Sequence, residues 1–532
     1  KGHSRVLESG HTLILGWGPR VVEILNELVV ANESKADAVI VILATEEKEA
    51  MDEHLRTQFT DRRTTRLVTR HGLPSSLIGL DHVSSKHARS AVVLALCSAS
   101  DSEEEKLASD ARVMQTVLAL TTYVGEEATI DVVAEIFDTR NRSVVEDISP
   151  GHVVVVDAEE MLAKIMVQTS RTSGLSVVYS ELLSFNGCEM YFFEGDWKGR
   201  TFGETQFYFK DGVPIGMRRG DGKLLIRPPA DTPLLQGDKL LLVAEDDSAL
   251  GLESAPIVKP TERALPDRRA TRRQERMLIV GWSQKAPTVV SQYSKYVLSG
   301  SSVDVLLSEP SEALLQQVRD LDESTPGLSV RVVWKHPLDQ RELESIAPFD
   351  YDTVLVLGHV TTDRIDPERV DAQSIVVLLH LRKLARRLRE RGVEIRTKVI
   401  TEVLVSSNQE LVSRAGVDDF IISNKMVSMI FAQLAEEPKM KEVYDNLFEE
   451  DGAEIYVKPA TLYFDDLPVK CKFADLMALC QRREGEVCIG YKLKSLESDS
   501  EKNYGVFLVP AKDAKITLGP DDALVVVAED DL

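Results

Sequence analysis

The feature that most constrains this chain is that it repeats itself. His11-Thr12-Leu13-Ile14-Leu15-Gly16-Trp17-Gly18 returns as Arg276-Met277-Leu278-Ile279-Val280-Gly281-Trp282-Ser283, with Gly16 and Gly281 265 positions apart. Ser109-Asp110-Ala111 corresponds to Val370-Asp371-Ala372, and Ala134-Glu135 with Asn141 to Thr401-Glu402 with Asn408. Met161, Tyr179, Leu182 and Glu189 return as Met426, Tyr444, Leu447 and Glu454. Leu242-Val243-Ala244-Glu245-Asp246-Asp247 returns as Val526-Val527-Ala528-Glu529-Asp530-Asp531. Landmarks in one order along both halves mark a duplicated unit, so the fold must be one unit built twice.

Within each half, short apolar β-branched runs alternate with helical stretches. In the first they are Leu13–Leu15, Val39–Leu43, Arg66–Thr69, Ala91–Leu96, Ile130–Glu135 and Val153–Val156. This alternation predicts an α/β fold with a Rossmann-like, doubly wound parallel sheet. A helical stretch follows each sheet, and a small strand-rich lobe follows that. In the first half Gly220-Asp221-Gly222 separates two apolar runs and predicts a hairpin. The expected boundaries are 1–157, 158–185 (crossover helices) and 186–250 (small lobe), then a Pro- and Arg-rich linker at 251–275. The second copy divides at 276–423, 424–450 and 451–532.

Charge and composition exclude several classes. The 532 residues carry a net charge of −23, the wrong sign for a general nucleic-acid binder. No apolar run reaches the ~18–20 residues of a membrane helix. Five cysteines without a CxxC pair fit reduced thiols better than a disulfide framework or zinc site. The chain begins at Lys1 without a signal peptide, so we expect a processed protein or a piece of a longer one.

The loop Gly16-Trp17-Gly18-Pro19-Arg20-Val21 follows a strand and opens a helix, the context of a dinucleotide fingerprint. Val21 stands where the third glycine belongs, and Trp17 crowds the loop. Glu46, at the end of the second strand, holds the place of a ribose-binding acid, as Glu309 does in the second copy. Gly16, Gly18 and Glu46 are therefore the candidates for an NAD-type nucleotide, against the alternative of a Rossmann scaffold kept for packing. The chain shows no HExxH, GxSxG or P-loop motif and no acid–base constellation, which argues against an enzyme.

Two Rossmann-like lobes, each with crossover helices and a small β lobe, resemble tandem RCK domains, the regulators of conductance of potassium-type channels. The stretch Ser4-Arg5-Val6-Leu7-Glu8-Ser9-Gly10-His11 through Trp17, Ala31-Asn32-Glu33-Ser34 and the twin Ala-Glu-Asp-Asp strand ends resemble the Castor/Pollux ion-channel family. Loops that depart from the plant pattern point to a bacterial member. The resemblance implies a homotetramer whose eight RCK domains form a gating ring beneath a transmembrane pore absent from this chain. It implies the cytoplasmic face of a membrane, the bacterial inner membrane or, in a plant, the nuclear envelope. It further implies a divalent cation, calcium first, that couples binding to pore opening. The matching acids are Asp110 and Glu135 with nearby Asp138, and Asp371 and Glu402 in the second copy. The family's second strand-end acid is missing, since Phe137 takes its place. The alternative for Asp110 is a helix N-cap, and for Asp101-Ser102-Glu103-Glu104-Glu105 a solvated loop. Asp246-Asp247 and Asp530-Asp531 are either strand-end chelators or solvated acids. The basic helix carrying Arg382, Lys383, Arg386, Arg387, Arg389 and Arg391 is either an amphipathic surface helix or a docking face for an acidic lobe or anionic lipid. An alternative for the whole chain is a nucleotide-binding regulatory subunit of a Trk/Ktr-type potassium transporter.

Overall fold

The computed structural model describes residues 4–18, 20–33, 35–59, 61–97, 101–125, 130–246, 250–309, 311–358, 366–449 and 452–530. The β-branched runs of the first half form β1 (Thr12–Leu15), β2 (Val39–Ala44), β3 (Arg66–His71), β4 (Ser90–Val93), β5 (Asp131–Ile136) and β6 (Val153–Asp157). They pair in parallel in the order β3-β2-β1-β4-β5-β6. The order reverses beside β1, so a crevice opens over the carboxyl ends of β1 and β4. β1 and β4 are buried at every residue, as strands covered on both faces must be.

A small antiparallel sheet follows: β7 (Glu189–Glu194), β8 (Val213–Arg218), β9 (Leu224–Ile226) and β10 (Lys239–Ala244), in the order β7-β10-β8-β9. The expected hairpin joins β8 and β9, with Gly222 at φ +94°. The second copy repeats the plan. β11 (Arg276–Val280), β12 (Ser301–Leu307), β13 (Leu328–Trp334), β14 (Thr353–Val356), β15 (Lys398–Val403) and β16 (Asp419–Ile422) take the order β13-β12-β11-β14-β15-β16. Its small lobe holds β17 (Glu454–Pro459), β18 (Val469–Lys472), β19 (Val487–Lys492), β20 (Val506–Leu508), β21 (Lys515–Leu518) and β22 (Ala523–Ala528). They form the sheet β17-β22-β19-β20 and the separate pair β18-β21. Even an irregularity repeats. β8 and β19 each shift register against the neighbouring strand, and Gly216 and Gly490 sit there with a carbonyl 2.6 and 2.2 Å from where a Cβ would stand.

The two copies are joined by an exchange of helices. The second copy's crossover helix, Ser423–Glu436, lies on the first copy's helix Val21–Ala31 and on β4 and β5. The first copy's crossover helix, Ala158–Arg171, lies on the second copy's helix Ala286–Tyr296 and on β14 and β15. Both crossover helices are apolar enough to be buried along most of their length, and their side chains belong to one core running through both copies. The outer face of each sheet has its own, separate core under Glu103–Val124 and Pro367–Glu390. The segment from 251 to 275 follows the second small lobe as an extended coil, held by Arg268 to Asp465 (2.7 Å) and Arg263 to Asp475 (3.6 Å).

Two expectations need correction. The acid run 101–105 is not a loop: Ser102 caps the helix Glu103–Val124 and Glu105 returns the bond to the cap's backbone N–H. Ser-x-x-Glu is a capping box, and three glutamates in the first turn favour the positive end of the helix dipole. Asp110 consequently sits two turns inside that helix and is no N-cap. The basic helix is an amphipathic one spanning Pro367–Glu390, with Leu378, Leu381 and Ala385 buried. Its cations are bound locally, Arg387 by Glu344 and Lys383 by Gln340.

Because one core spans both copies, cutting the coil near Lys259 with a site-specific protease should leave the halves together. They should elute as one species in gel filtration and unfold in one urea transition. Ile430→Ala, at a fully buried position of the second copy's crossover helix, should lower the stability of that single transition by about 2–5 kcal/mol.

Candidate functional site at the joint between the copies

The acids that the repeat pairs with each other do the same two jobs in both copies. Asp110 is fully buried, and its carboxylate accepts the backbone N–H groups of Phe137 and Asp138, both at 2.9 Å, and Asn141 Nδ2 at 3.4 Å. Asp371 accepts Leu404 and Val405 N–H at 2.9 Å each and Asn408 Nδ2 at 3.0 Å. Each aspartate ties a long helix to the turn that leaves the fifth strand, and its oxygens are engaged by two backbone N–H groups and an asparagine amide. Burial raises the Asp371 pKa against the pull of those donors.

Glu135 and Glu402 end the same strands and face inward. The guanidinium of Arg20 pairs with Glu135, which also accepts Ala95 N–H at 3.2 Å. Lys285 pairs with Glu402 at 3.0 Å, and Ser423 donates to the same carboxylate. Arg20 and Lys285 hold the same position, at the start of the helix after each glycine loop. A third acid joins the second pair: Glu159, on the first copy's crossover helix, reaches Lys285 across the joint at 3.6 Å, and its charge is also felt by Glu135. Both Glu159 oxygens are buried, and neither receives a hydrogen bond among the described residues. Burial works against the charge of Lys285, but Glu159 and Glu402 outweigh it and raise its pKa. Burial raises the pKa of Glu135 despite Arg20 beside it. Three carboxylates and two cations thus form a buried network where the halves meet.

Asp138 lies outside this network. Its carboxylate binds Arg140 at 2.7 Å, which holds its pKa below the usual range. Among the described residues no three His, Cys, Asp or Glu side chains are gathered to hold a metal ion. Asp247 and Asp531 of the strand-end pairs lie outside the described residues.

The glycine loop of the first copy keeps its close approach. A Cβ on Gly16, at φ +112°, would stand 3.3 Å from Leu94 O, and one on Gly18 3.4 Å from Ala95 O. Trp17 turns away and meets His54 edge to face at 5.6 Å. Glu46 ends near β3, where its carbonyl meets His71 Nδ1 at 3.1 Å, and its Oε2 is buried with no hydrogen-bond partner among the described residues. In the second copy the crevice remains open, about 310 Å³, lined by Gly281, Glu309, His336 and Arg369 among others. Sequence reasoning missed Arg20, Lys285 and Glu159. The repeat pairs Arg20 with Lys285 once the two loops are aligned, whereas Glu159 has the uncharged Asn424 as its counterpart and carried no signal.

Two six-stranded Rossmann-like sheets, exchanged crossover helices and paired small lobes are the fold of tandem RCK domains. The solved human SLO3 gating ring superposes with a TM-score of 0.66 at 15% identity, over 97% of this chain and 99% of that one. The GsuK channel bound to NAD aligns at a TM-score of 0.44, too loosely to bear on this chain. Residues 159–259, from the crossover helix through the small lobe, match the family described as Castor and Pollux, part of voltage-gated ion channel. The probable ion channel POLLUX of Arabidopsis thaliana is 28% identical over 99% of this chain, and the ion channel CASTOR of Lotus japonicus likewise 28% over 99%. The chain is thus similar to the Castor/Pollux ion-channel family, and both of these relatives are described as channels. It spans 65% and 63% of those two relatives' length. Among the described residues no helix is long and apolar enough to cross a membrane.

Two variants test the network. Arg20→Met strands Glu135 in the core and should cost about 3–5 kcal/mol of stability, most of it regained in Arg20→Met with Glu135→Met; urea denaturation of the three variants reads this. Asp157 caps the helix Ala158–Arg171 by accepting Glu160 N–H at 2.9 Å. Burial, with Glu160 and Glu159 nearby, pushes its pKa up to about 7. The folded chain keeps that proton to higher pH than the unfolded one. Its stabilising effect is complete below the usual carboxylate range and is lost as pH rises through about 7. Asp157→Asn, which caps equally well, should therefore raise Tm by roughly 1–3 °C at pH 8 and leave it unchanged near pH 4.

Proposed function

We propose that the chain is the gating ring portion of a cation channel, four copies closing a ring of eight RCK domains on the cytoplasmic side of the membrane. The observation that carries this reading is the duplicated, helix-exchanged RCK-type pair in a chain similar to the Castor/Pollux family. The membrane would be a bacterial inner membrane, or the nuclear envelope if the source is a plant. A ligand drives such a ring only by as much as it binds one arrangement of the lobes better than another. The buried network stands where that difference would be felt, because it contains acids and cations from both copies.

The net charge of −23 favours a divalent cation as that ligand, calcium before others. Calcium requires six to eight oxygens, and Asp110 and Asp371 have already given theirs to backbone donors. An ion entering here would displace Arg20 from Glu135 or Lys285 from Glu402, and would recruit Glu159. Sedimentation of the chain should give a mass of four copies at high concentration. Thermal unfolding should show a calcium-dependent rise in Tm that grows in Arg20→Met, where the carboxylates are released. A calcium response that is absent in both the wild type and Arg20→Met removes the network from the sensing role and leaves the ring itself to the sedimentation result.

The unpartnered Glu46 oxygen supports a second reading, an NAD-type nucleotide over Gly16 and Gly18, as in a Trk/Ktr-type regulatory subunit. A Tm rise with NAD or ADP that is lost in Glu46→Ala would favour it.

A further inference from the structure

At the opposite edge of the second large sheet, where its strands begin, two connected clefts of about 190 and 510 Å³ share Arg171, Glu275 and Lys398. Three parts of the chain meet there: the end of the first copy's crossover helix, the first residue of β15, and the second small lobe with β17 and β19. Eight basic side chains line the two chambers against four acidic ones, in a chain whose net charge is −23. The excess lies deep in the larger chamber. Lys398 Nζ donates to the carbonyl of Arg171, and Lys492 Nζ reaches Ser173 Oγ at 3.2 Å. Among the described residues neither ammonium has a carboxylate within 4 Å. Burial pulls both lysines below the usual pKa, Lys398 to about 8. Arg171 adds a guanidinium whose acid, Glu275, is 3.7 Å away, and the half-exposed Lys494, paired with Glu497 at 2.5 Å, also lines the cleft.

The common fold does not impose this excess. The repeat's counterpart of Arg171 is Glu436, held by Arg89 at 2.6 Å and Lys35 at 2.8 Å. The counterpart of Lys398 is Asp131, beside His152 at 3.1 Å. There the counterparts of Arg171 and Lys398 sit beside opposite or titratable neighbours, whereas here Lys398 and Lys492 bond only uncharged oxygens and line open space of ligand size.

We propose that this cleft binds an oligophosphate, a run of phosphoryl groups held by Arg171, Lys398, Lys492 and Lys494. Several cations converging from different elements suit a ligand with several negative charges, and guanidinium and ammonium donors are the groups that phosphate oxygens accept from most strongly. A nucleoside polyphosphate and a phosphorylated lipid headgroup share this chemistry. Occupancy would tie the first copy's helix end to the second copy's small lobe. That such a tie biases a gate rests on the ring assignment above; the binding does not.

Calorimetric titration of the whole chain with sodium tripolyphosphate at low salt should show saturable binding. Lys398→Met with Lys492→Met should weaken it at least about tenfold. Arg386→Gln with Arg389→Gln, the same charge change on the exposed basic helix, should leave it unchanged. If the buried double variant fails to fold, Lys494→Gln with Arg396→Gln, at exposed positions of the cleft, should weaken binding in its place. Competition by ATP but not adenosine identifies a soluble nucleotide as the source. Sedimentation with phosphatidylcholine vesicles only when they carry phosphatidylinositol bisphosphate identifies a headgroup. No saturable binding, or equal loss in the cleft and basic-helix variants, overturns the proposal.

Discussion

Each large sheet has an inner face that its own half cannot cover. The short helix after the glycine loop shields part of it, and the crossover helix of the other copy shields β4 and β5 in one case and β14 and β15 in the other. Burial of those two helices is the interaction on which the remaining structure depends, since their side chains join the two inner faces into a single core. A lone copy would expose that face to water, where apolar area costs about 25 cal/mol per Å². The duplication is therefore a folding requirement as much as an evolutionary record: each copy is the other's missing layer.

That exchange also explains the charges it encloses. A buried carboxylate is tolerated when paired and hydrogen-bonded. Arg20–Glu135 and Lys285–Glu402 meet this condition within each copy, and Glu159 couples them across the joint. A network of this kind adds little to stability over an apolar packing of the same volume, but losing one member leaves an uncompensated charge. The joint is thus sensitive to the relative position of the halves, which is the property a ligand-driven ring needs. The aspartates beneath it serve a different end, since they fix the turns after β5 and β15 so that the strand-end glutamates point inward.

The acidity of the chain hides a local reversal of sign. Most acids are on the surface or in local pairs, whereas the cations of the cleft beneath β15 converge from three elements far apart in sequence. Net charge alone favours a cation as partner. The distribution of charge in space adds a place for an anion, and the two need not compete because they lie at opposite ends of the same sheet.

The sequence by itself determined the duplicated α/β plan, the strand runs, the β8–β9 hairpin and the corresponding acids. Those features depend on local period, turn residues and internal repetition, all of which are written along the chain. It misplaced the start of the helix carrying Asp110 because a run of acids reads as solvated loop unless Ser102 and Glu105 are recognised as a capping pair. Tertiary structure alone decided what the acids do. Whether Asp110 caps a helix, binds an ion or holds a turn depends on which donors stand within 3 Å, and these come from residues 137 and 138. Likewise, only the exchanged helices bring Glu159 to Lys285 and Arg171 to Lys398, because long-range contacts follow from which faces bury each other and not from spacing along the chain.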